Sequence, residues 1–471
     1  MSSDNAKQRG GQPVSLATLL TLAAILAAGV FLRGQAFLAT EVVEPLQADA
    51  ADAYALAQAL SNQGAYNILA APFNGGGEAA SGETFSSLGY PLFLSLFAEP
   101  EATTGGLNAI VITQMVLSAL AILLVFMLTT RLLDPYWGLT AALLTAVSPF
   151  LVNISLYLVG ATVLMIALLL YLVTAAKLSE RGGLIRTFIA SALLGLAALT
   201  DPTFEFLILP WVVMLVLSTK GIAKVLTPLA AVIGFGLVFS PLVIQNQNAG
   251  DAPVATAPIA ESIQRGLPPA TEDASGASGV TTEEAQLGSA FGQLGQRFIE
   301  DPRGFLRWYF VDKTQTLWSL GEPTAAEQSF VYPVSDTPYA ENPGFLASEE
   351  FMRILHGPVV LIGALGAVLV WLPFAGRRLT PAQRIGLRSV SLVLLYATIA
   401  HGFGVAAPQY ATPLLPMLFV MALTPLYLVT LPRREATADK GHKEKAQENA
   451  KQEESAEEES EESSEGQPAA A

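Results

Sequence analysis

The chain has 471 residues, 52% hydrophobic and 14% charged, with a mean hydropathy of +0.47 and a formal charge of −15 at pH 7. Soluble domains carry about a quarter charged residues, so a large soluble core is excluded, and the recurring apolar runs describe an all-α polytopic membrane protein. There is no cysteine, which excludes disulfides, thiolate metal sites and cysteine nucleophiles.

Residues 1–13 form a short N-terminal flank carrying Lys7 and Arg9. The apolar run at 14–32 is long for a signal-peptide core, and no small-x-small cleavage pattern follows it, so it reads as a retained membrane helix. Residues 33–106 are polar and too long for a simple hairpin, with a glycine-rich middle around Asn74 and Gly77. Further spans are expected at 107–130, 137–152 and 156–176, then one ending at 199, one at 204–217 and one ending at 244. A second polar region covers 246–352, and the last spans fall at 354–374, 387–405 and 411–431. That makes about ten spans: a membrane region at 14–245 and C-terminal helices within 353–431. The Glu- and Ser-rich tail at 432–471 has almost nothing apolar to bury and is expected to be disordered.

The basic residues test this topology. Arg131, the group from Lys177 to Arg186, Lys220, Lys224, Arg377, Arg378, Arg384, Arg388, Arg433 and Arg434 all fall on the side of the N-terminus. Short loops rich in Lys and Arg stay cytoplasmic. Both termini are then cytoplasmic and both long polar regions face outward, which in a bacterium is the outer face of the plasma (inner) membrane.

The stretch Gln47-Ala-Asp49-Ala-Ala-Asp52-Ala-Tyr54-Ala-Leu-Ala-Gln-Ala-Leu60 follows the first span. Its residues from Asp49 onward are good helix formers with apolar positions on one side. Asp49 suits an N-cap, and Asp52 then sits in the first turn, where the helix dipole favours negative charge. Further on, Gly89-Tyr90-Pro91-Leu92-Phe93-Leu94-Ser95-Leu96-Phe97 turns back toward the bilayer.

These two segments, in this order after a first span, resemble the GT-C superfamily of membrane glycosyltransferases, in particular bacterial protein mannosyltransferases and lipid A aminoarabinose transferases. The resemblance implies a GT-C-like fold with juxtamembrane helices in two outer loops. It also implies a polyprenyl-phosphate-linked sugar as donor and an envelope lipid, glycan or protein as acceptor. Asp49 falls on the family's lead acid and Asp52 on its second, with Tyr54 and Tyr90 beside the pocket. Transfer of a sugar passes through a cation-like centre and needs a carboxylate base on the attacking face. The resemblance thus makes Asp49 the base and Asp52 an acceptor-positioning group or metal ligand; a divalent metal stays open, and no nucleotide is implied. A helix cap and a solvated first-turn acid remain the plain alternatives.

Other positions extend the resemblance. Leu199-Thr200-Asp201-Pro202-Thr203 resembles a family turn with Arg in place of Asp201, and Glu205 follows just inside the next span. Ser240-Pro241 to Gln245-Asn246 resembles a Pro-Trp-x-x-Arg-Asn exit, and Pro408-Gln409-Tyr410 a Pro-Arg-Tyr motif, so Gln245 and Gln409 also stand where the family has Arg. Asp201, Gln245, Asn246, Gln409 and Tyr410 are candidate pocket residues. The run from Gln296 to Tyr309 resembles a surface helix leading to a Lys and a Trp, here Lys313 and Trp318. Cationic groups hold a leaving phosphate, which nominates Arg297, Arg303, Arg307, Lys313 and His401; interfacial anchoring of the arginines and a structural histidine are the alternatives.

No Walker loop or dinucleotide fingerprint is present. That argues against an ATP-driven pump, and outward polar regions argue against a nucleotide-sugar donor. The expected function is glycosyl transfer. A catalytically inactive scaffold or lipid-glycan binding protein is the second reading, because several family arginines are replaced, and a transporter is the third.

Overall fold

The computed structural model describes residues 15–47, 49–63, 87–178, 183–248, 262–263, 266–267, 287–319 and 334–431. The flank at 1–13, the glycine-rich middle of the first polar region and the tail at 432–471 lie outside them.

Helix α1 (Leu16–Ala39) starts on a Ser15 cap, whose Oγ accepts from Thr18 N at 3.1 Å. It continues past Arg33, which the sequence had placed in the outer polar region. Arg33 is 1% exposed. Its guanidinium is buried because every direction it points in holds an acceptor: Ser118 Oγ at 2.9 Å, Gly29 O at 3.0 Å, Ala146 O at 3.2 Å and Thr145 O at 3.4 Å.

After β1 (Glu41–Val42) come the short α2 (Asp49–Gln63) and α3 (Gly89–Leu94). The span expected at 107–130 is α4 (Thr104–Leu132). The next expected span is broken. Helix α5 (Pro135–Val147) opens on Asp134, whose Oδ1 accepts from Tyr136 N and Trp137 N, and it stops at Ser148-Pro149. The chain bends by 59° into α6 (Pro149–Asn153) and a 3-10 turn (Ile154–Leu156). A break inside an apolar bundle frees carbonyls that need donors. Two fully buried side chains of α4, one helical turn apart, supply them: Ser118 Oγ donates to Leu151 O at 3.0 Å, and Gln114 Nε2 to Tyr157 O at 2.8 Å and Ser155 O at 3.2 Å.

Then follow α7 (Ala161–Ala176), α8 (Leu184–Thr200), a 3-10 helix (Pro202–Leu207), α9 (Ile208–Ser218) and α10 (Ala223–Asn248). The second polar region contributes α11 (Leu287–Glu300), α12 (Pro302–Arg307), a π-helical turn (Trp308–Asp312), α13 (Lys313–Leu317), β2 (Val334–Asp336) and α14 (Pro338–Glu341). Last come α15 (Pro343–Leu369), α16 (Pro373–Arg378), α17 (Pro381–Phe403), α18 (Pro408–Ala411), a 3-10 turn and α19 (Leu415–Thr430).

Helices stand at all ten expected places, but among the described residues only six are long and apolar enough to cross a membrane, or seven if the bent pair counts as one span. The expectation of about ten full spans is corrected accordingly. Residues 161–176, 184–200 and 202–218 form shorter apolar helices. At 1.5 Å per residue, a 16-residue helix such as α7 reaches about 24 Å, short of the roughly 30 Å hydrocarbon layer. Packing explains the tolerance: α7 is enclosed by its neighbours, with Met165, Leu168, Leu169 and Tyr171 fully buried. Helix α15 begins at Pro343, well before the expected 354, and the described residues include one β element, the two-stranded ribbon, in an otherwise all-α fold.

Contacts define two ends of the bundle. At one, Gln383 Nε2 donates to Leu132 O and Arg378 Nη1 to Leu428 O, gathering the short basic loops. At the other, β1 of the first polar region pairs antiparallel with β2 of the second.

Candidate active site

The site grows from helix ends. Helix α8 stops at Asp201 because Pro202 cannot continue it. Asp201 is extended (φ −139°, ψ 111°); its N–H donates to Ala197 O at 2.9 Å, and its Oδ1 accepts from Thr203 N at 2.9 Å. The expected Asp201-Pro202 turn is therefore present, with the carboxylate capping the 3-10 helix. Against this turn packs α3. Leu88 N donates to Leu199 O at 3.0 Å, and a Cβ on Gly89 would meet Thr200 N at 2.7 Å and Thr200 Cα at 2.8 Å, so only glycine allows this approach.

Helix α17 ends above the same turn. Tyr396 OH donates to Thr203 O at 2.7 Å, and Glu205 and Asp201 both act electrostatically on that phenol. Asp201 also acts on His401, in the last turn of α17. The imidazole is 5% exposed and stacks on Tyr410 of α18 at 4.9 Å with 12° between the planes. Its Nδ1 lies 3.2 Å from Val405 O, which only accepts, so Nδ1 carries the hydrogen. In the neutral ring, Nε2 is then an open acceptor; it is buried and has no hydrogen-bond partner among the described residues.

Lys313 reaches the same 401–405 turn from the second polar region. It is 4% exposed, donates to Gly404 O at 2.5 Å and stands 4.5 Å from the centroid of the Tyr309 ring. No carboxylate pairs with it among the described residues, and burial pulls its pKa down to about 8. Burial likewise pushes the Tyr309 phenol up to about 12. Tyr309 OH and Trp308 Nε1 both donate to Gly266 O, at 3.4 and 3.2 Å. A Cβ on Gly266 would collide with Gly404 O and stand 2.6 Å from Lys313 Nζ, so the close approach again requires glycine.

The candidate residues thus divide. Lys313, His401 and Tyr410 meet at one turn, with Asp201 beside His401. Gln409 is half-buried in α18, next to Tyr410 in the chain. Gln245 and Asn246 lie in the final turn of α10, with side chains outside the described residues. Asp49 is the first residue of α2 rather than its cap, and Asp52 shares its first turn. Both carboxylates are exposed, and neither forms an ion pair among the described residues. They sit on a helix fastened to the bundle end by Tyr54, whose OH accepts from Glu99 N at 3.4 Å, and by Gln58, whose Nε2 donates to Glu99 O at 2.8 Å. Tyr54 and Tyr90 are buried in that packing, and Tyr90 OH donates to Gln114 Oε1 at 2.9 Å, so both set the position of their helices.

Arg303 is exposed, Arg297 stands 3.7 Å from Glu300, and Arg307 stands 3.4 Å from Asp312. These three arginines occupy the surface helices, apart from the buried Lys313. Among the described residues no three His, Cys, Asp or Glu side chains are grouped to hold a metal ion. Sequence reasoning missed Tyr396 and Tyr309; the only local signal was the glycine pair flanking Phe403, which marks a close backbone approach.

Residues 88–244 match the family model described as dolichyl-phosphate-mannose-protein mannosyltransferase. The match includes Gly89, Tyr90, the broken span and Asp201, and it ends before Lys313 and His401. No curated protein sequence matches the chain. Among solved structures, the oligosaccharyltransferase AglB from Archaeoglobus fulgidus, in complex with an inhibitory peptide and a dolichol-phosphate, aligns at 16% identity over 92% of this chain and 52% of its own, with a TM-score of 0.49. The apo form of the A. fulgidus oligosaccharyltransferase aligns at 16% identity over the same shares, with a TM-score of 0.47. The form tethered to an acceptor peptide aligns at 15% identity over 87% of this chain and 49% of its own, with a TM-score of 0.48. The chain spans about half the length of these structures. This is a multi-pass membrane protein whose residues 88–244 are similar to the dolichyl-phosphate-mannose-protein mannosyltransferase family.

Proposed function

We propose that the chain is an integral membrane glycosyltransferase that takes a sugar from a polyprenyl-phosphate donor and passes it to an envelope lipid, glycan or protein acceptor. It would act on the outer face of a bacterial plasma membrane, with both termini and the tail at 432–471 in the cytoplasm and the regions 33–106 and 246–352 outside. The observation that carries the reading is the buried Lys313, which has no carboxylate partner among the described residues and binds the same 401–405 turn as an imidazole with an open nitrogen. An apolar bundle suits the isoprenoid tail, and an unpaired buried ammonium suits the phosphate.

In this reading Asp49 takes the proton from the acceptor hydroxyl while Asp52 orients it. The acceptor oxygen bonds to the anomeric carbon as the bond from that carbon to the donor phosphate breaks. The bonding pair leaves with the carrier phosphate, whose charge Lys313 meets and His401 supports by a hydrogen bond when protonated. Tyr410 holds the imidazole plane, and Asp201 faces it.

A second reading, a non-catalytic scaffold or lipid-glycan binding protein, is favoured by one observation: Asp49 and Asp52 stand exposed, with no ion-pair partner among the described residues. Mass spectrometry of membrane lipids and envelope glycans separates the two. Loss of one sugar in cells lacking the protein, not restored by the Asp49→Asn variant at normal membrane level, supports the enzyme. Full restoration by that variant supports the scaffold.

A further inference from the structure

Helix α13 is five residues long, with Lys313 as its first residue and Trp318 as its C-cap. A single helical turn does not hold itself in place, so whatever grips its two ends sets where Lys313 stands. One end is tied by Lys313 itself, to Gly404 O. The other is tied twice. Trp318 Nε1 donates to Thr398 Oγ1 of α17 at 3.2 Å, and Trp318 O lies 2.6 Å from Nε2 of His356, on α15. At 1.5 Å per residue this double grip lies about 7.5 Å along the axis from Lys313.

His356 has no part in the proposed chemistry. It is 7% exposed, and Phe150 of α6 stands beside its ring with 6.3 Å between centroids. A carbonyl only accepts, so Nε2 carries the hydrogen in the contact with Trp318 O. Nδ1 is buried and has no hydrogen-bond partner among the described residues. Leaving a buried nitrogen unsatisfied costs free energy, and a leucine or phenylalanine would fill the same apolar place without that cost. What the imidazole adds is a donor for Trp318 O, a carbonyl that the end of α13 leaves without one.

We infer that His356 is a positioning residue for Lys313: its Nε2–H holds the end of α13 against α15 and so keeps the ammonium buried at the 401–405 turn, where it meets the donor phosphate. The phosphate contact rests on the proposed function; the positioning does not. Around Lys313 stand Tyr309 of the π turn, His401 of α17 with Asp201 acting on it and Tyr410 of α18 stacked on it, and Asp312, its neighbour in the chain, 3.4 Å from Arg307. Substitution at 356 alters none of these groups, so a change in the Lys313 titration reports its burial.

Competitive acetylation across pH, read by peptide mass spectrometry on the full chain in lipid nanodiscs, follows the Lys313 amine without turnover. In the wild type its midpoint is expected at about 8. His356→Phe keeps a ring and removes the donor. The midpoint should then move toward 10.5 as the amine gains water, and the Kd for polyprenyl phosphate, used as the binding probe, should rise about tenfold. His356→Gln carries an amide N–H at the reach of Nε2 and should restore both values. An unmoved midpoint in the folded His356→Phe chain, or an equal displacement in His356→Gln, overturns the positioning. A moved midpoint with unchanged polyprenyl phosphate binding upholds the positioning and ends the donor reading of Lys313. Nitrogen NMR gives a test with residue 356 intact. The chain has three histidines, and with His442→Gln the two that remain should differ, His356 carrying its hydrogen on Nε2 and His401 on Nδ1. That pair of tautomers supports the inference, and two rings protonated on Nδ1 overturn it.

Discussion

Lys313 Nζ donates to the backbone oxygen of Gly404 at 2.5 Å, joining the second polar region to the end of a membrane helix across 91 residues of sequence. A carbonyl is a weak partner for a buried ammonium. The cation is thus available to an anion while held in place by the Tyr309 ring.

The first prediction follows from its pKa of about 8 against an ordinary 10.5. Below about 8 the ammonium is charged and donor phosphate binds; above it the charge is lost and the donor KM rises. Lys313→Arg stays charged at every working pH and should flatten the alkaline limb, whereas Lys313→Met should raise the donor KM at all pH values. Stability moves the other way. Between about 8 and 10.5 the unfolded chain binds a proton at this position that the folded chain does not, so stability rises with pH across that window. Donor titrations and melting curves at matched pH check both; a KM independent of pH in the wild type removes Lys313 from phosphate binding.

The second prediction concerns Asp49, exposed in the first turn of α2. Asn keeps the shape and loses the charge, so stability should change by no more than about 1 kcal/mol, the scale of a first-turn charge on the helix dipole. Transfer should nevertheless be abolished, because the neutral amide cannot take the acceptor proton. Asp52→Asn should lower transfer less. A purified Asp49→Asn variant that turns over at the wild-type rate ends the assignment.

Some of this was legible in the sequence. The Asp201-Pro202 turn followed from local chemistry, because turns are written in neighbouring residues. Arg33 was misread because hydropathy counts a guanidinium as polar wherever it stands, while its acceptors Ser118, Thr145 and Ala146 come from distant helices. Tyr90 was placed beside the pocket, yet its hydroxyl is taken up by Gln114. The short helices α7, α8 and α9 were counted as full spans because enclosure by neighbours leaves no mark on a run's own hydropathy. The meeting of Lys313 with His401 at one turn depends on the packing of two regions far apart in the chain.

The third prediction separates the two residues that seat α3. Gly89→Ala puts a methyl against the Thr200 backbone, which is close to immovable, and should cost about 1–3 kcal/mol, the range for overpacking. Tyr90→Phe removes one buried hydrogen bond to Gln114 and should cost about 1 kcal/mol. Thermal melting in detergent should rank Gly89→Ala below Tyr90→Phe, and the opposite order would show that shape matters less here than the hydrogen bond.

The fourth prediction tests what holds the broken span. Arg33 donates to the carbonyls of Thr145 and Ala146, in the last turn of α5, where the helix has no donors of its own. Arg33→Met fills similar space without donors, leaves these oxygens buried and unpaired, and should cost about 1–3 kcal/mol. Arg33→Lys keeps a charge but not the planar fork that reaches Ser118, Gly29 and the end of α5 together, so it should not restore stability. Melting temperatures of the two variants, with protease sensitivity of the 148–160 segment as a local readout, decide the matter. Full rescue by Lys would mean that charge alone matters at Arg33, and wild-type stability of both variants would show that the break at Ser148-Pro149 stands without it.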